Sequence, residues 1–186
     1  EPSGYPQIEI ESMEFVGPVF DAWPPAHHIR ILIPSENRED EDIYAGEVLE
    51  QFMSRAFRRP VEKEEVRLYR QYFQKVRETC ESFEDAISET LAMVLVSPDF
   101  LYLVEPAGET KRRVTDWELA SRLSYFLWST MPDDHLFDLA RNGKLHELGI
   151  LQGEVTRMLE DPRSWQFIEQ FVDQWLDVGA LERVAV

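Results

Sequence analysis

The sequence predicts a mainly α-helical fold, a bundle of about six to seven helices preceded by a short β or extended N-terminal segment. Three observations lead there. Beyond residue 42, apolar residues recur at steps of three and four. Serine, threonine and aspartate stand at capping positions ahead of those runs. Prolines and an Asn-Gly pair close them.

Taken in order, Ile8, Ile10, Met13 and Phe15 alternate with Glu9, Glu11 and Glu14 at period two with one slip, which predicts a half-buried strand carrying a bulge. Gly17-Pro18 ends it, and Trp23-Pro24-Pro25 reads as extended because each proline restricts the residue before it. Ile29, Ile31 and Ile33 alternate again and predict a second strand. From Pro34 to Asp42 the chain carries Glu36, Glu39, Asp40, Glu41 and Asp42, so residues 36–42 read as a solvated acidic linker.

The helices follow. Val48, Leu49, Phe52, Met53, Ala56 and Phe57 form one apolar stripe that must end before Pro60. Val66, Tyr69, Phe73, Val76 and Cys80 form the next. Ser82-Phe83-Glu84-Asp85 is a capping box opening a helix through Val96, stopped at Ser97-Pro98. Thr115-Asp116-Trp117-Glu118 is a second box, opening a helix that continues through Trp128. Asp133 caps a shorter helix through Ala140, closed by Asn142-Gly143. Another helix covers Leu148 to Leu159, and Asp161-Pro162 starts the last with proline at its first position. The expected organisation is an extended segment over 1–35, the linker, a helical domain over 43–110 and a second over 111–186 packed on it.

Composition narrows the function classes. The net charge of −17 argues against non-specific nucleic-acid binding and against anionic membrane surfaces, both of which reward Lys and Arg. The longest apolar run, Leu91 to Val96, is far short of the roughly 18 residues of a membrane span, so no membrane insertion is expected. Glu1-Pro2-Ser3-Gly4 lacks the basic start and apolar stretch of a signal peptide. Cys80 is the single cysteine, which rules out an intrachain disulfide and a thiolate metal site built by one chain.

Arg122 stands out as a cation inside a run that otherwise reads as core. Its dull explanation is an ion pair with Glu118, at the favourable four-residue spacing, or with a carboxylate such as Asp173. Its functional one is a ligand site with Ser124, Tyr125 and Asp133, taking an anion or a sugar. Arg55, Arg58 and Arg59 lie at a helix C-terminus, where cations complement exposed carbonyls and can pair with Glu62, Glu64 or Glu65. The structural reading is favoured for both groups. His27-His28 point to opposite faces of an extended chain and make a poor metal site, and Asp133-Asp134 are better explained by helix capping than by acid–base chemistry. Trp117, Trp128, Trp165 and Trp175, at helical spacing, read as core before they read as sugar platforms. No nucleophile–base set, phosphate loop or dinucleotide fingerprint is present.

Arg55-Ala56-Phe57-Arg58-Arg59-Pro60-Val61, the stretch from Leu119 to Trp128 and Gln174-Trp175-Leu176 together resemble the helical domains of unknown function found in large secreted, cytochrome-c-associated proteins of planctomycete type. Phe52 to Tyr102 resembles one such domain, and Val114 to Leu181 the start of the next. Residues 8–25 are similar to the segment that leads from a carbohydrate-binding-like β-sandwich into the helices. The resemblance implies an exported or periplasmic location, with the other domains of the same full-length protein as partners and a c-type haem on a separate upstream domain. This chain has no Cys-x-x-Cys-His and is expected to hold no cofactor of its own. Glu62 replaces a threonine usual in the family, which weakens a cap. The chain looks like an excised piece. Its expected role is a non-catalytic scaffold or docking module. The alternatives are a fragment of an enzyme acting on polysaccharide or in electron transfer, with a site around Arg122, and a carbohydrate-binding module.

Overall fold

A computed structural model describes residues 12–14, 17, 19–22, 24–103 and 112–176. Among the described residues the chain is mainly helical, with nine α-helices, one 3-10 turn and no strand. It divides into two compact units, Glu1–Pro34 and Ser35–Val186.

In the first unit the expected second strand is a helix, α1, Ala26–Ile31. Pro25 sits at its N-cap with φ −67° and ψ 154°, and its carbonyl accepts from the N–H groups of His28 at 2.9 Å and Ile29 at 3.2 Å. Only Ile29 and Ile31 lie in this short helix, and Ile33 follows it. A helix satisfies its backbone locally, whereas a strand needs a partner. Ile8, Ile10 and Phe15 of the expected first strand lie outside the described residues.

The second unit begins with α2, Glu41–Ala56, inside the segment read as an acidic linker. Asp40 caps it, accepting from the Ile43 N–H at 3.1 Å. Glu41 and Asp42 belong to its first turn, where acids complement the helix dipole, and each pairs across to the next helix, α3, Lys63–Arg77. Arg77 donates to Glu41 at 2.7 Å and Arg70 to Asp42 at 2.8 Å. At the start of α3 the Glu62 N–H donates to Glu65 at 2.8 Å, so the helix entrance is held despite the absent threonine. Ser82 opens α4, Phe83–Leu95, by accepting from the Asp85 N–H at 3.1 Å. Pro98 then restarts the chain as a four-residue helix, α5, Pro98–Leu101, where the sequence reading had only a stop.

Thr115 and Glu118 form the reciprocal box at the head of α6, Asp116–Trp128, with hydrogen bonds of 3.2 and 2.7 Å. Asp133 caps α7, Asp134–Arg141, through the Leu136 N–H at 2.9 Å, and Gly143 follows that helix at φ +65°. Next comes α8, Leu148–Glu160. Pro162–Ser164 makes a 3-10 turn ahead of the last helix, α9, Trp165–Leu176, so the proline starts the turn and not the helix.

The main helix contacts fall into two sets, α2 with α3 and α4, and α6 with α7, α8 and α9. The first set buries Val48, Leu49, Met53, Phe73, Ile87 and Val94. The second buries Leu127, Trp128, Leu136, Leu145 and Met158, and the Trp128 indole donates to the Met158 carbonyl at 2.9 Å. Each such side chain contributes about 1.5–3 kcal/mol relative to exposure. Not all the tryptophans are core. Trp128 is buried and Trp117 half-buried, but Trp165 is 66% and Trp175 71% exposed. α9 rests on α6 through Phe167, whose ring lies 4.8 Å from that of Phe126, and turns its other aromatics outward.

Candidate functional site

The α2–α3 loop, Asp99 of α5 with Leu103 just beyond that helix, and the first two turns of α6 enclose a cleft of about 560 Å³. Two stretches distinctive in the sequence, around Arg58 and around Arg122, thus meet in one place. Phe57, Pro60, Val61, Leu103 and Trp117 form its apolar walls. Its polar lining comes from three arginines, Arg58, Arg59 and Arg122, from Glu62, Asp99 and Glu118, and from the hydroxyl residues Thr115 and Ser121.

Arg58 is the one buried guanidinium among the described residues, only 5% exposed, and its backbone is left-handed at φ 57° just past the end of α2. It donates to the carbonyls of Ala56 at 2.9 Å, Asp99 at 2.9 Å, Phe100 at 3.1 Å and Tyr102 at 2.9 Å. A four-residue helix leaves its last carbonyls without intrahelical partners, and the planar fork of Arg58 gathers those of α5. The sequence suggested an ion pair for Arg58; among the described residues its hydrogen-bond partners are carbonyls. The same guanidinium lies 5.8 Å over the Tyr125 ring, joining α5 to α6.

Arg59 binds both oxygens of Glu65, at 2.9 and 2.7 Å, and Asp99 at 2.9 Å. Its pKa is raised, first by the hydrogen bond to Glu65, and the Glu65 carboxyl is correspondingly lowered. Arg112, reaching from the segment before α6, takes both oxygens of Glu118 at 2.8 and 2.5 Å. That hydrogen bond, with the Thr115 backbone N–H, holds the Glu118 carboxyl down to about 2. Arg55 lies outside the cleft lining, where it pairs with Asp134 and stands 5.6 Å over the Phe137 ring.

Arg122 is exposed and lines the cleft, so the partly buried cation inferred from the sequence is not this residue. The other members of the expected ligand set do not join it. Ser124 is fully buried and donates to the Thr130 carbonyl at 2.8 Å. Tyr125 lies beneath Arg58. Asp133 caps α7 and accepts from Arg157 at 2.8 Å. Burial pushes the Asp133 carboxyl up, but Arg157 and the Leu136 N–H outweigh it and the net shift is downward. Ser124 stands about 160° around the helix from Arg122, which sends it into the core, whereas Tyr125, only about 60° away, is covered by Arg58.

Sequence reasoning missed Ser121, the residue next to Arg122, and Trp117, about one and a half turns before it, as cleft residues. It also missed a polar network between α7 and α8. There the buried Glu154 meets His135 at 2.9 Å and Arg157 at 2.7 Å, and Arg163 lies 3.5 Å over the Trp128 ring. The Glu154–Arg157 pair is local, three residues apart on α8, but no local pattern reports that His135 of α7 and Arg163 of the 3-10 turn join it. Among the described residues no group of three His, Cys, Asp or Glu side chains is placed to hold a metal, and no helix is long and apolar enough to cross a membrane.

Residues 44–105 match the family model PSD5, a protein of unknown function (DUF1595), and residues 114–186 match PSD4, a protein of unknown function (DUF1592). No curated protein and no solved structure matches the chain.

Proposed function

We propose that these two adjacent domains of unknown function act together as a non-catalytic helical scaffold or docking module of a larger exported, cytochrome-c-associated protein. Its partners are the other domains of that protein, and any c-type haem sits on a separate upstream domain. The observation that carries this reading is the commitment of the charged groups at the cleft. Arg58 is taken by carbonyls, Arg59 by Glu65 and Asp99, and Glu118 by Arg112. A general acid or base must reach the proton it moves at a pKa near the working pH, and a carboxyl held to about 2 by a bidentate arginine is a poor one. The outward aromatics of α9 supply the apolar area that docking uses. The exported setting rests on the family resemblance.

The test is direct. The purified chain should give a helical circular dichroism spectrum, show no haem absorbance band after incubation with haem, and leave a panel of chromogenic glycosides and redox dyes unchanged. Immobilised, it should retain the remaining domains of its full-length protein. Turnover that disappears in Arg122→Met, or a stoichiometric haem, would overturn the reading.

A further inference from the structure

We infer that the cleft between α2, α5 and α6 binds an uncharged saccharide of one or two rings, with Trp117, Ser121 and Arg122 as its contacts. Size comes first: about 560 Å³ lies within the range of small-molecule sites and is too confined for a protein surface.

Charge comes next. Arg58, Arg59 and Arg122 are offset in the lining by Glu62, Asp99 and Glu118, so the cleft offers no net field to draw in an ion of either sign. An anion would meet three carboxylates, and a purely apolar ligand would leave the Ser121 hydroxyl without a partner. A sugar hydroxyl both donates and accepts, so one ring can serve guanidinium and carboxylate together. Its C–H face suits an apolar wall such as Trp117.

The third observation is Ser121. Among the described residues four serine and threonine side chains are buried. Thr90 donates to the Ala86 carbonyl, Ser124 to that of Thr130 and Ser164 to that of Leu159. Ser121, 5% exposed, makes no side-chain hydrogen bond among the described residues. Yet no buried side-chain polar atom among them is cut off from both partner and solvent. The Ser121 oxygen therefore opens onto the cleft it lines, where a ligand hydroxyl would complete it.

A neutral glycan array followed by calorimetric titration with cellobiose, maltose, xylobiose and chitobiose tests this, with glucuronate as the charged control. At least one neutral glycan should bind, and Ser121→Ala and Arg122→Met should each weaken it about two- to tenfold. Ser121→Ala should leave the melting temperature unchanged, because the hydroxyl it removes makes no hydrogen bond among the described residues. Trp165→Ala and Trp175→Ala, on the exposed face of α9, should leave binding intact. The proposal is overturned if no neutral glycan binds, if glucuronate alone binds, if Ser121→Ala and Arg122→Met bind as the parent does, or if binding is lost only in the α9 variants.

Discussion

Arg58 holds an unfavourable backbone conformation in order to place a favourable side chain. A non-glycine residue at φ 57° costs roughly 1–2 kcal/mol, while charged hydrogen bonds contribute about 1.5–3 kcal/mol each, so the guanidinium dominates. Arg58→Ala should therefore destabilise the chain by about 2–4 kcal/mol in urea titration. Arg58→Gly should be less damaging by about 1 kcal/mol, since it relieves the strain that alanine keeps. Equal losses in the two variants would mean that the left-handed backbone carries no cost. The opposite sign is expected at Ser129, exposed at the end of α6 with φ 53° and no side-chain hydrogen bond in the described structure. Ser129→Gly should stabilise by about 0.5–1 kcal/mol. The sequence drew attention to Arg122 because apolar neighbours surround it there. Arg58 hid in a basic triplet: what buries it is the row of carbonyls on α5, some forty residues away in sequence, and no local pattern reports those.

At the scale of elements, the entrance to α6 concentrates local electrostatics. Thr115→Ala should cost about 1 kcal/mol through the lost cap. Glu118 adds a pH dependence whose sign follows from its lowered pKa. The folded form holds this carboxyl at about 2 against an ordinary 4.5, so its stabilisation is complete above pH 4.5 and is lost as pH falls through about 2. Glu118→Gln should be less stable than the parent at pH 7, and its stability should fall less between pH 5 and pH 2.5. Parallel acid limbs in the two proteins would sink this account. These helix entrances were legible in the sequence because a cap acts within four residues, as Ser82, Thr115 and Asp133 all do. α1 was misread for the complementary reason: alternation over Ile29, Ile31 and Ile33 records side-chain spacing but not whether a partner strand exists. α5 was missed because four residues are too few for any periodicity.

For the second unit as a whole, two cores meet across a polar seam. Arg55 pairs with Asp134, side chains 36% and 72% exposed, and Arg58 lies over Tyr125. Exposed ion pairs contribute about 0–1 kcal/mol, whereas each core rests on several side chains contributing more than that apiece. That both motif stretches would line one cleft was not legible beforehand, since their meeting depends on this seam and not on either stretch alone. The imbalance predicts separable stability. Leu136→Ala, at a fully buried position, removes about 2–5 kcal/mol from the α6–α8 core. In hydrogen exchange, amides of α6, α7 and α8 should lose protection in that variant while those of α2, α3 and α4 keep theirs, because the seam is too weak to pass the loss on. Uniform loss across both sets would show the seam to be as strong as the cores. The cleft would then be a rigid feature of one cooperative body, whereas separable loss leaves its two walls able to move against each other.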